Sequence, residues 1–235
     1  MVIAVARWCR GMKKLAALFS GGKDSTYAIY CLEKRGYRVE YLLTVYPRSA
    51  NSLYFHYPNI HLTRLQSEAM RRKHIIEESS NNELEALRRI IEKVSQSVSG
   101  IVSGVSSSSF QKKAIENICR EYSIEVVTPL WGLDPGKLLR DILGSGFEVM
   151  ITGVAALGLT KDWLGKILTL RDIDKLEEIS SRYGVNIVGE GGEMETIVLD
   201  CPLFKERLEV LDYEVLWEGD RGFFMIKNAI LRSKG

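Results

Sequence analysis

The six residues Ser-Gly-Gly-Lys-Asp-Ser at positions 20–25 follow the apolar run 15–19, and they constrain this chain more than any other feature. Glycines after a strand allow positive φ angles and let the backbone approach a ligand closely. Successive N–H groups in such a loop bind anions, and a helix beginning near Asp24 adds its positive dipole end. With two serine hydroxyls and the charge of Lys23, the stretch predicts a phosphate-binding loop.

The same letters have a simpler interpretation, because Gly, Asp and Ser also favour an ordinary, well-capped turn between a strand and a helix. Neither GxxxxGK[ST] nor GxGxxG, two familiar phosphate-binding patterns, occurs in this loop. The complete hexapeptide directly after a first strand nevertheless favours nucleotide binding over the simple turn.

Short apolar runs rich in β-branched residues alternate with helical patterns along much of the chain. Predicted strands lie at 14–19, 39–45, 100–105, 124–128 and 148–153. Asn82 is the predicted N-cap of a helix over 82–98, where apolar residues repeat at helical spacing. This alternation predicts an α/β fold with a parallel, doubly wound sheet, which binds ligands at the carboxyl ends of its strands.

The pattern changes at residues 128–136, whose letters TPLWGLDPG contain several turn formers. We therefore predict two domains, over 12–128 and 129–235, the second being smaller and of the α+β type. Its predicted strands lie at 197–199, 208–211, 213–217 and 223–226, with a turn over 218–222. Residues 1–11 are predicted to be a disordered lead, with Met12 as the working start.

Composition narrows the functional classes. The chain has 235 residues, 46% of them hydrophobic, and a formal net charge of +2, so no direct nucleic-acid binding is expected. Its longest apolar stretch, 149–159, contains two glycines and is too short for a membrane helix. The four cysteines form no CxxC pair, which predicts reduced thiols in a cytoplasmic protein and no zinc or iron–sulfur centre.

A second unusual stretch has the letters GEGGEMET at residues 189–196. In an extended segment Glu193 and Glu195 would project from the same face, close to Glu190. Crowded carboxylates raise one another's pKa, so this segment is a candidate site for a cation or for removing a proton from an amine. A solvated glycine turn leading into a strand remains the alternative.

The motif SGGKDS is similar to the PP-loop of N-type ATP pyrophosphatases, whose fold is adenine nucleotide alpha-hydrolase-like. The resemblance implies that ATP is cleaved between its α- and β-phosphates, with Mg²⁺ as cofactor. Together with the charge of Lys23, it implies ATP binding by Ser20, Gly21, Gly22, Lys23, Asp24, Ser25, Thr44 and Val45. Asp24 would place Mg²⁺, and Thr44 and Val45 would lie beside the adenine.

The stretch GEGGEMET resembles the signature of one PP-loop branch, the diphthine–ammonia ligase family. Supporting segments are LTRLQS at 62–67, TPLW at 128–131, WLGK at 163–166 and LDCPLF at 199–204. The resemblance implies amidation of diphthine on translation elongation factor 2, through an acyl-adenylate, with ammonium as nitrogen donor and AMP and pyrophosphate as products. The crowding of Glu190, Glu193 and Glu195 makes them the catalytic candidates.

Candidate substrate-binding residues are Ser108, Gln111, Glu116, Trp163 and Thr196. Gln111 and Glu116 have an ordinary interpretation as exposed helix positions, and Trp163 as part of a core. The chain departs from the family pattern at Phe110, where tyrosine is usual, and at Ala114 and Lys166, where arginine is usual. Loss of an arginine weakens bidentate contacts with phosphate or carboxylate, so these departures bear on substrate choice.

Two other functions stay open at this point. A PP-loop tRNA-modifying enzyme is disfavoured by the small net charge and the missing CxxC pairs. A sensor that binds ATP without turnover is kept because of the departures from the family pattern. The sequence is also compatible with a homodimer.

Overall fold

The computed structural model describes residues 14–46, 59–79 and 82–235. The predicted lead over 1–11 and the predicted start at Met12 lie outside these residues. No helix in the described ranges is long and apolar enough to cross a membrane.

The first sheet has five strands in the order β3-β2-β1-β4-β5, and every pairing in it is parallel. The strands are β1 (Lys14–Leu18), β2 (Arg38–Tyr46), β3 (Lys73–Glu78), β4 (Gly100–Val102) and β5 (Glu125–Val127). The central strand β1 is apolar and buried on both faces, as parallel sheets require. The strand order reverses between β1 and β4, which is where such sheets bind ligands.

Four helices accompany this sheet: α1 (Lys23–Glu33), α2 (Thr63–Ala69), α3 (Glu83–Glu92) and α4 (Ser109–Glu121). A short 3-10 turn at Ile60–Leu62 precedes α2. The buried residues of α1 share one apolar cluster and those of α3 and α4 share another, so both faces of the sheet are covered. The predicted doubly wound α/β fold is confirmed, and Asn82 caps α3 as predicted.

The second sheet is antiparallel, in the order β7-β6-β9-β8. Its strands are β6 (Glu148–Val154), β7 (Met194–Asp200), β8 (Glu206–Glu218) and β9 (Arg221–Ser233). Two helices, α5 (Pro135–Gly144) and α6 (Leu170–Tyr183), and a 3-10 turn at Lys161–Trp163 lie in the same part of the chain. The helices start with strong local signals, Asp134 followed by Pro135 in α5 and a Thr169–Asp172 capping box in α6.

Three predictions about strands need correction. The run 148–153 was grouped with the parallel strands, but β6 pairs antiparallel with both β7 and β9. The runs 208–211 and 213–217 form the single strand β8, which has register shifts around Asp212. Strand β3 was not predicted, since its letters KHIIEE contain only two consecutive apolar residues.

The two sheets share one apolar cluster, which includes Leu42 of β2, Ile151 of β6 and Val198 of β7. This cluster therefore contains residues from both sides of the predicted boundary at 128/129. The division into domains over 12–128 and 129–235 stays a prediction.

Candidate active site

A cleft with about 940 Å³ of empty space, including its open mouth, lies at the carboxyl ends of β1 and β4. Eight of the predicted site residues line it: Ser20, Gly22, Lys23, Asp24, Ser25, Gln111, Glu190 and Thr196. Its remaining wall contains the segment 103–106 after β4 and the apolar side chains of Leu18, Leu87 and Ile115. The cleft thus brings together parts of both glycine-rich segments.

The loop after β1 presents the start of α1 to this cleft. Gly21 has a φ of +78°, a value that favours glycine, and Gly22 is the N-cap residue of α1. No side chain caps α1, so the simpler interpretation of a turn capped by Asp or Ser does not describe this helix start. The N–H groups of the first turn, which Gly22 cannot cap, and the helix dipole make this end suitable for an anion.

Gly104 allows the segment after β4 to pack directly on the loop. A Cβ atom at this position would lie 2.7 Å from both the carbonyl carbon of Asp24 and the backbone nitrogen of Ser25. Those are main-chain atoms, which cannot move aside as a flexible side chain can. Gly104 carries no local sequence signal, because its close contact depends on the tertiary structure.

Lys23 lines the cleft, but its ammonium is already bonded to protein groups. Its side chain is 1% exposed, and its ammonium donates to Asp24 Oδ2 at 2.9 Å and to the Val188 carbonyl at 2.5 Å. Lys23 therefore ties the loop to the segment before β7 and holds the Asp24 carboxylate in place.

Asp24 keeps one oxygen available. Its Oδ1 atom is buried and has no hydrogen-bond partner in the described part of the chain. A hard cation such as Mg²⁺ prefers this kind of ligand, and it commonly uses one carboxylate together with phosphate oxygens and waters. Across the described residues no group of three His, Cys, Asp or Glu side chains could form an all-protein metal site. The donor set fits Mg²⁺ shared with a phosphate ligand.

Strand β7 contacts the loop directly. The Lys23 N–H donates to Thr196 Oγ1 at 3.3 Å, across 173 positions of sequence, and the Val198 N–H donates to the Gly21 carbonyl at 3.0 Å. A Cβ on Gly22 would lie 3.1 Å from the Thr196 carbonyl oxygen. The second sheet therefore forms part of the loop's own hydrogen-bonding environment.

Glu190 binds the segment after β4. Its carboxylate accepts from the backbone N–H of Ser106 at 2.7 Å, from the Ser106 hydroxyl at 2.9 Å and from the Ser107 hydroxyl. Burial alone would raise the pKa of Glu190. The Ser107 hydroxyl and the N–H groups of residues 106–108 outweigh it, and the pKa lies below its ordinary value.

The expected mutual raising of pKa among the three glutamates is wrong for Glu190. Glu193 folds back to accept from the Gly191 N–H at 2.8 Å, and it precedes the first residue of β7. Glu195 lies opposite Gly153 in the register of β7 with β6. Their catalytic roles stay predictions.

Thr44 and Val45 are buried rather than exposed to the cleft. The Thr44 hydroxyl donates to the Phe19 carbonyl at 2.7 Å and lies 2.8 Å from His74 Nε2. Burial, reinforced by the positive charge of Arg64, lowers the pKa of His74 to about 4, so this imidazole is neutral near pH 7. Val45 packs in the cluster with α3. An adenine ring beside β2 would contact the backbone there and not the side chains of Thr44 and Val45.

Three of the predicted substrate-binding residues lie outside the cleft wall. Ser108 caps α4 by accepting from the Gln111 N–H at 3.3 Å, and Glu116 lies 3.6 Å from Lys112 on the same helix. Trp163 is 8% exposed and belongs to the apolar core, as its alternative interpretation expected. Of the five candidates, Gln111 and Thr196 reach the cleft.

The departures from the family pattern have different surroundings. Phe110 is 61% exposed at the start of α4. Lys166 forms an ion pair of 2.6 Å with Asp172, the acid of the capping box of α6. Lys166 thus has a structural partner, and it does not line the cleft.

These features define the class: a doubly wound α/β protein with a glycine-rich loop suited to an anion at the switch point of its sheet, completed by a second, antiparallel sheet. The chain belongs to the diphthamide synthase family. Residues 12–126 match the model of the diphthamide synthase N-terminal domain, and residues 134–231 match that of the C-terminal domain. The family resemblance predicted from SGGKDS and GEGGEMET is confirmed.

Individual relatives extend over most of the chain. The human diphthine–ammonia ligase is 34% identical over 227 residues, covering 86% of this chain and 85% of the human protein. The rat diphthine–ammonia ligase is 33% identical over 247 residues, covering 94% and 91%. A solved structure described as a predicted subunit of tRNA methyltransferase from Methanocaldococcus jannaschii is 18% identical, with a TM-score of 0.45, covering 81% of this chain and 98% of that one.

Proposed function

We propose that this protein is an ATP-dependent ligase that amidates diphthine on translation elongation factor 2, with ammonium as nitrogen donor. The observation that carries the proposal is the contact of the SGGKDS loop with Thr196 and Val198 at one cleft, in a chain of the diphthamide synthase family. Curated relatives from human and rat carry the name diphthine–ammonia ligase.

The proposed reaction has two steps. A carboxylate oxygen of the acceptor attacks the α-phosphorus of ATP, and the bond to the bridging oxygen breaks to release pyrophosphate. Ammonia then attacks the acyl carbon of this acyl-adenylate, and AMP leaves as the amide forms. Activation is needed because a free carboxylate has no good leaving group for attack by ammonia.

The loop at 20–25 is suited to the pyrophosphate end of ATP. The N-cap residue Gly22 has no side chain to cap the start of α1, where the Lys23 N–H donates to Thr196 Oγ1, and Ser20 and Ser25 place their hydroxyls 3.1 Å apart beside it. Donors fixed before the reaction stabilise developing negative charge without reorganising. Asp24 Oδ1 would hold Mg²⁺, which when bound offsets charge on phosphate oxygens.

The apolar part of the cleft wall, formed by Leu18, Leu87 and Ile115, supports a position for the adenine ring. Ligand sites of this kind combine an apolar surface with a few convergent polar groups. A contribution from Thr44 or Val45 would be limited to their backbone atoms, since both side chains are buried.

The carboxylates divide into two roles in this proposal. Glu190 fixes the wall at Ser106 and Ser107, and its lowered pKa makes it a weaker proton acceptor than an ordinary glutamate. Glu193 and Glu195 are the candidates to bind ammonium and to take its proton before attack. Gln111 and Thr196 line the cleft, as Glu190 does and Glu193 and Glu195 do not, and they are proposed to contact substrate. Location in the cytoplasm and a homodimer stay predictions.

Family membership does not favour a tRNA-modifying enzyme or an ATP sensor without turnover.

A product assay separates the ligase from these two alternatives. The protein is incubated with Mg-ATP, ammonium and elongation factor 2 carrying diphthine, and nucleotides and the acceptor are then analysed. We expect AMP, pyrophosphate and an amidated acceptor. Bound ATP with no products supports the sensor, and tRNA-stimulated exchange of ATP with pyrophosphate supports the tRNA-modifying enzyme.

A further inference from the structure

Gln66, in α2, is a fully buried polar residue. It has no part in the proposed reaction. It is 0% exposed, and its amide nitrogen donates to the Gly21 carbonyl and to the Val198 carbonyl, both at 2.8 Å. One side chain therefore joins the loop after β1 to strand β7.

The side-chain oxygen of Gln66 is buried with no hydrogen-bond partner in the described residues. An unsatisfied buried acceptor is unfavourable, and an apolar side chain of similar size would avoid it. Reversing the amide would place its oxygen against two carbonyls, so the two acceptors fix its orientation. An amide at this site, in place of an apolar side chain, is therefore explained by its two N–H donors and not by its oxygen.

The Gly21 carbonyl also accepts from the Val198 N–H at 3.0 Å, so two donors hold it. In a trans peptide the carbonyl and the following N–H point in opposite directions, and the described residues contain no cis peptide. Fixing the Gly21 carbonyl toward Gln66 and β7 therefore turns the Gly22 N–H away from them. Gly22 lines the cleft and Gly21 does not, in agreement with this orientation.

We infer that Gln66 is a positioning residue for the pyrophosphate site. It holds the peptide between Gly21 and Gly22 so that the Gly22 N–H points to the cleft side of the loop, where it donates to Ser20 Oγ over a long 3.4 Å and would donate to a bound anion. It contacts no reacting atom, and it acts through the orientation of this peptide. The inference rests on the proposed function, because it assumes that the loop binds the phosphates of ATP.

The position also explains the requirement for glycine at residue 21. A Cβ there would lie 2.1 Å from the Gln66 side-chain oxygen, in addition to the strain of a φ of +78°. The loop backbone and the amide are therefore fitted to each other. Removing the donors of Gln66 leaves the carbonyl with one partner and gives the peptide freedom to rotate.

The test is titration of the full chain with inorganic pyrophosphate plus Mg²⁺, and separately with AMP, by calorimetry. In Gln66→Met, which keeps the length but has no donors, we expect the Kd for pyrophosphate to rise about tenfold. Binding of AMP should be unchanged, because AMP has no β-phosphate. A merely structural role would change both affinities together.

Ser67→Ala is the matched control, since Ser67 is a buried polar residue of the same helix whose hydroxyl donates to the nearby Arg64 carbonyl, at 2.7 Å. It should bind pyrophosphate as the unchanged protein does. If Gln66→Met does not fold, Gln66→Asn is titrated in the same way, because its shorter side chain cannot reach both carbonyls. Unchanged affinity for pyrophosphate in a folded Gln66 variant overturns the inference. Absence of pyrophosphate binding by the unchanged protein refutes the proposed function instead.

Discussion

At the scale of single residues, the chemistry of the cleft depends on which oxygen of Asp24 is occupied. Oδ2 accepts from the buried ammonium of Lys23, whereas Oδ1 is buried without a partner in the described residues. The sequence places a cation beside an acid but does not say where the ammonium points. Its direction depends on the Val188 carbonyl, 165 positions away.

Asp24→Asn tests the proposed metal ligand. A neutral amide oxygen binds a hard cation less strongly, so we expect ATP turnover to fall on the order of 100-fold. The Mg²⁺ concentration for half-maximal pyrophosphate release should rise as well. Asp174→Asn is the control, because Asp174 is 71% exposed and pairs with Arg140 on the surface. An unchanged Mg²⁺ dependence in Asp24→Asn would contradict the assignment.

Glu190→Gln tests the contact between Glu190 and the segment after β4. Hydrogen bonds to a charged group contribute about 1.5–3 kcal/mol, so the variant should unfold more easily at pH 7. Because folding lowers the pKa of Glu190, its contribution is present above the unfolded pKa of about 4.3 and is lost as pH falls through the folded pKa.

Chemical denaturation at a series of pH values measures this effect. The difference in unfolding free energy between the unchanged protein and Glu190→Gln should be constant near neutral pH and shrink below about pH 4. Glu178→Gln on α6 serves as a control for a glutamate that does not line the cleft. A difference that grows on acidification would be inconsistent with a lowered pKa.

At the scale of elements, the site is built where the segments after β1 and β4 pack together. Local signals predict some of these elements well: the run before the loop forms β1, and Asn82 begins α3. The prediction that β6 lies in the parallel sheet is wrong because a buried apolar strand has the same residue types in a parallel or an antiparallel sheet. Its partners β7 and β9 lie far along the chain, so its direction was not readable locally.

Gly104→Ala tests this packing. The added methyl would lie 2.7 Å from backbone atoms of Asp24 and Ser25, so we expect a loss of stability of about 1–3 kcal/mol and weaker ATP binding. Gly144→Ala is the control, since a Cβ at this helical position meets nothing within 4 Å. That variant should be as stable as the unchanged protein or more so. Thermal unfolding and ATP titration measure both effects, and equal behaviour of the two variants would refute the close contact.

At the scale of the whole molecule, the antiparallel sheet completes the surroundings of the loop at 20–25. Gly21, Lys23 and Gln66 all bond to residues of β7 or to the segment before it. Each glycine-rich motif was identifiable in the sequence, and the family resemblance joined them in one enzyme. Their physical contact was not predictable from spacing, because it depends on how two sheets pack around a shared core.

The most direct test is a crystal structure of the protein with Mg²⁺ and an ATP analogue that resists cleavage between the α- and β-phosphates. The β- and γ-phosphates should lie on the N–H groups at the start of α1, with Mg²⁺ on Asp24 Oδ1 and the α-phosphate open to the acceptor. A nucleotide bound outside this cleft, or one whose γ-phosphate alone faces the acceptor side, would contradict the account.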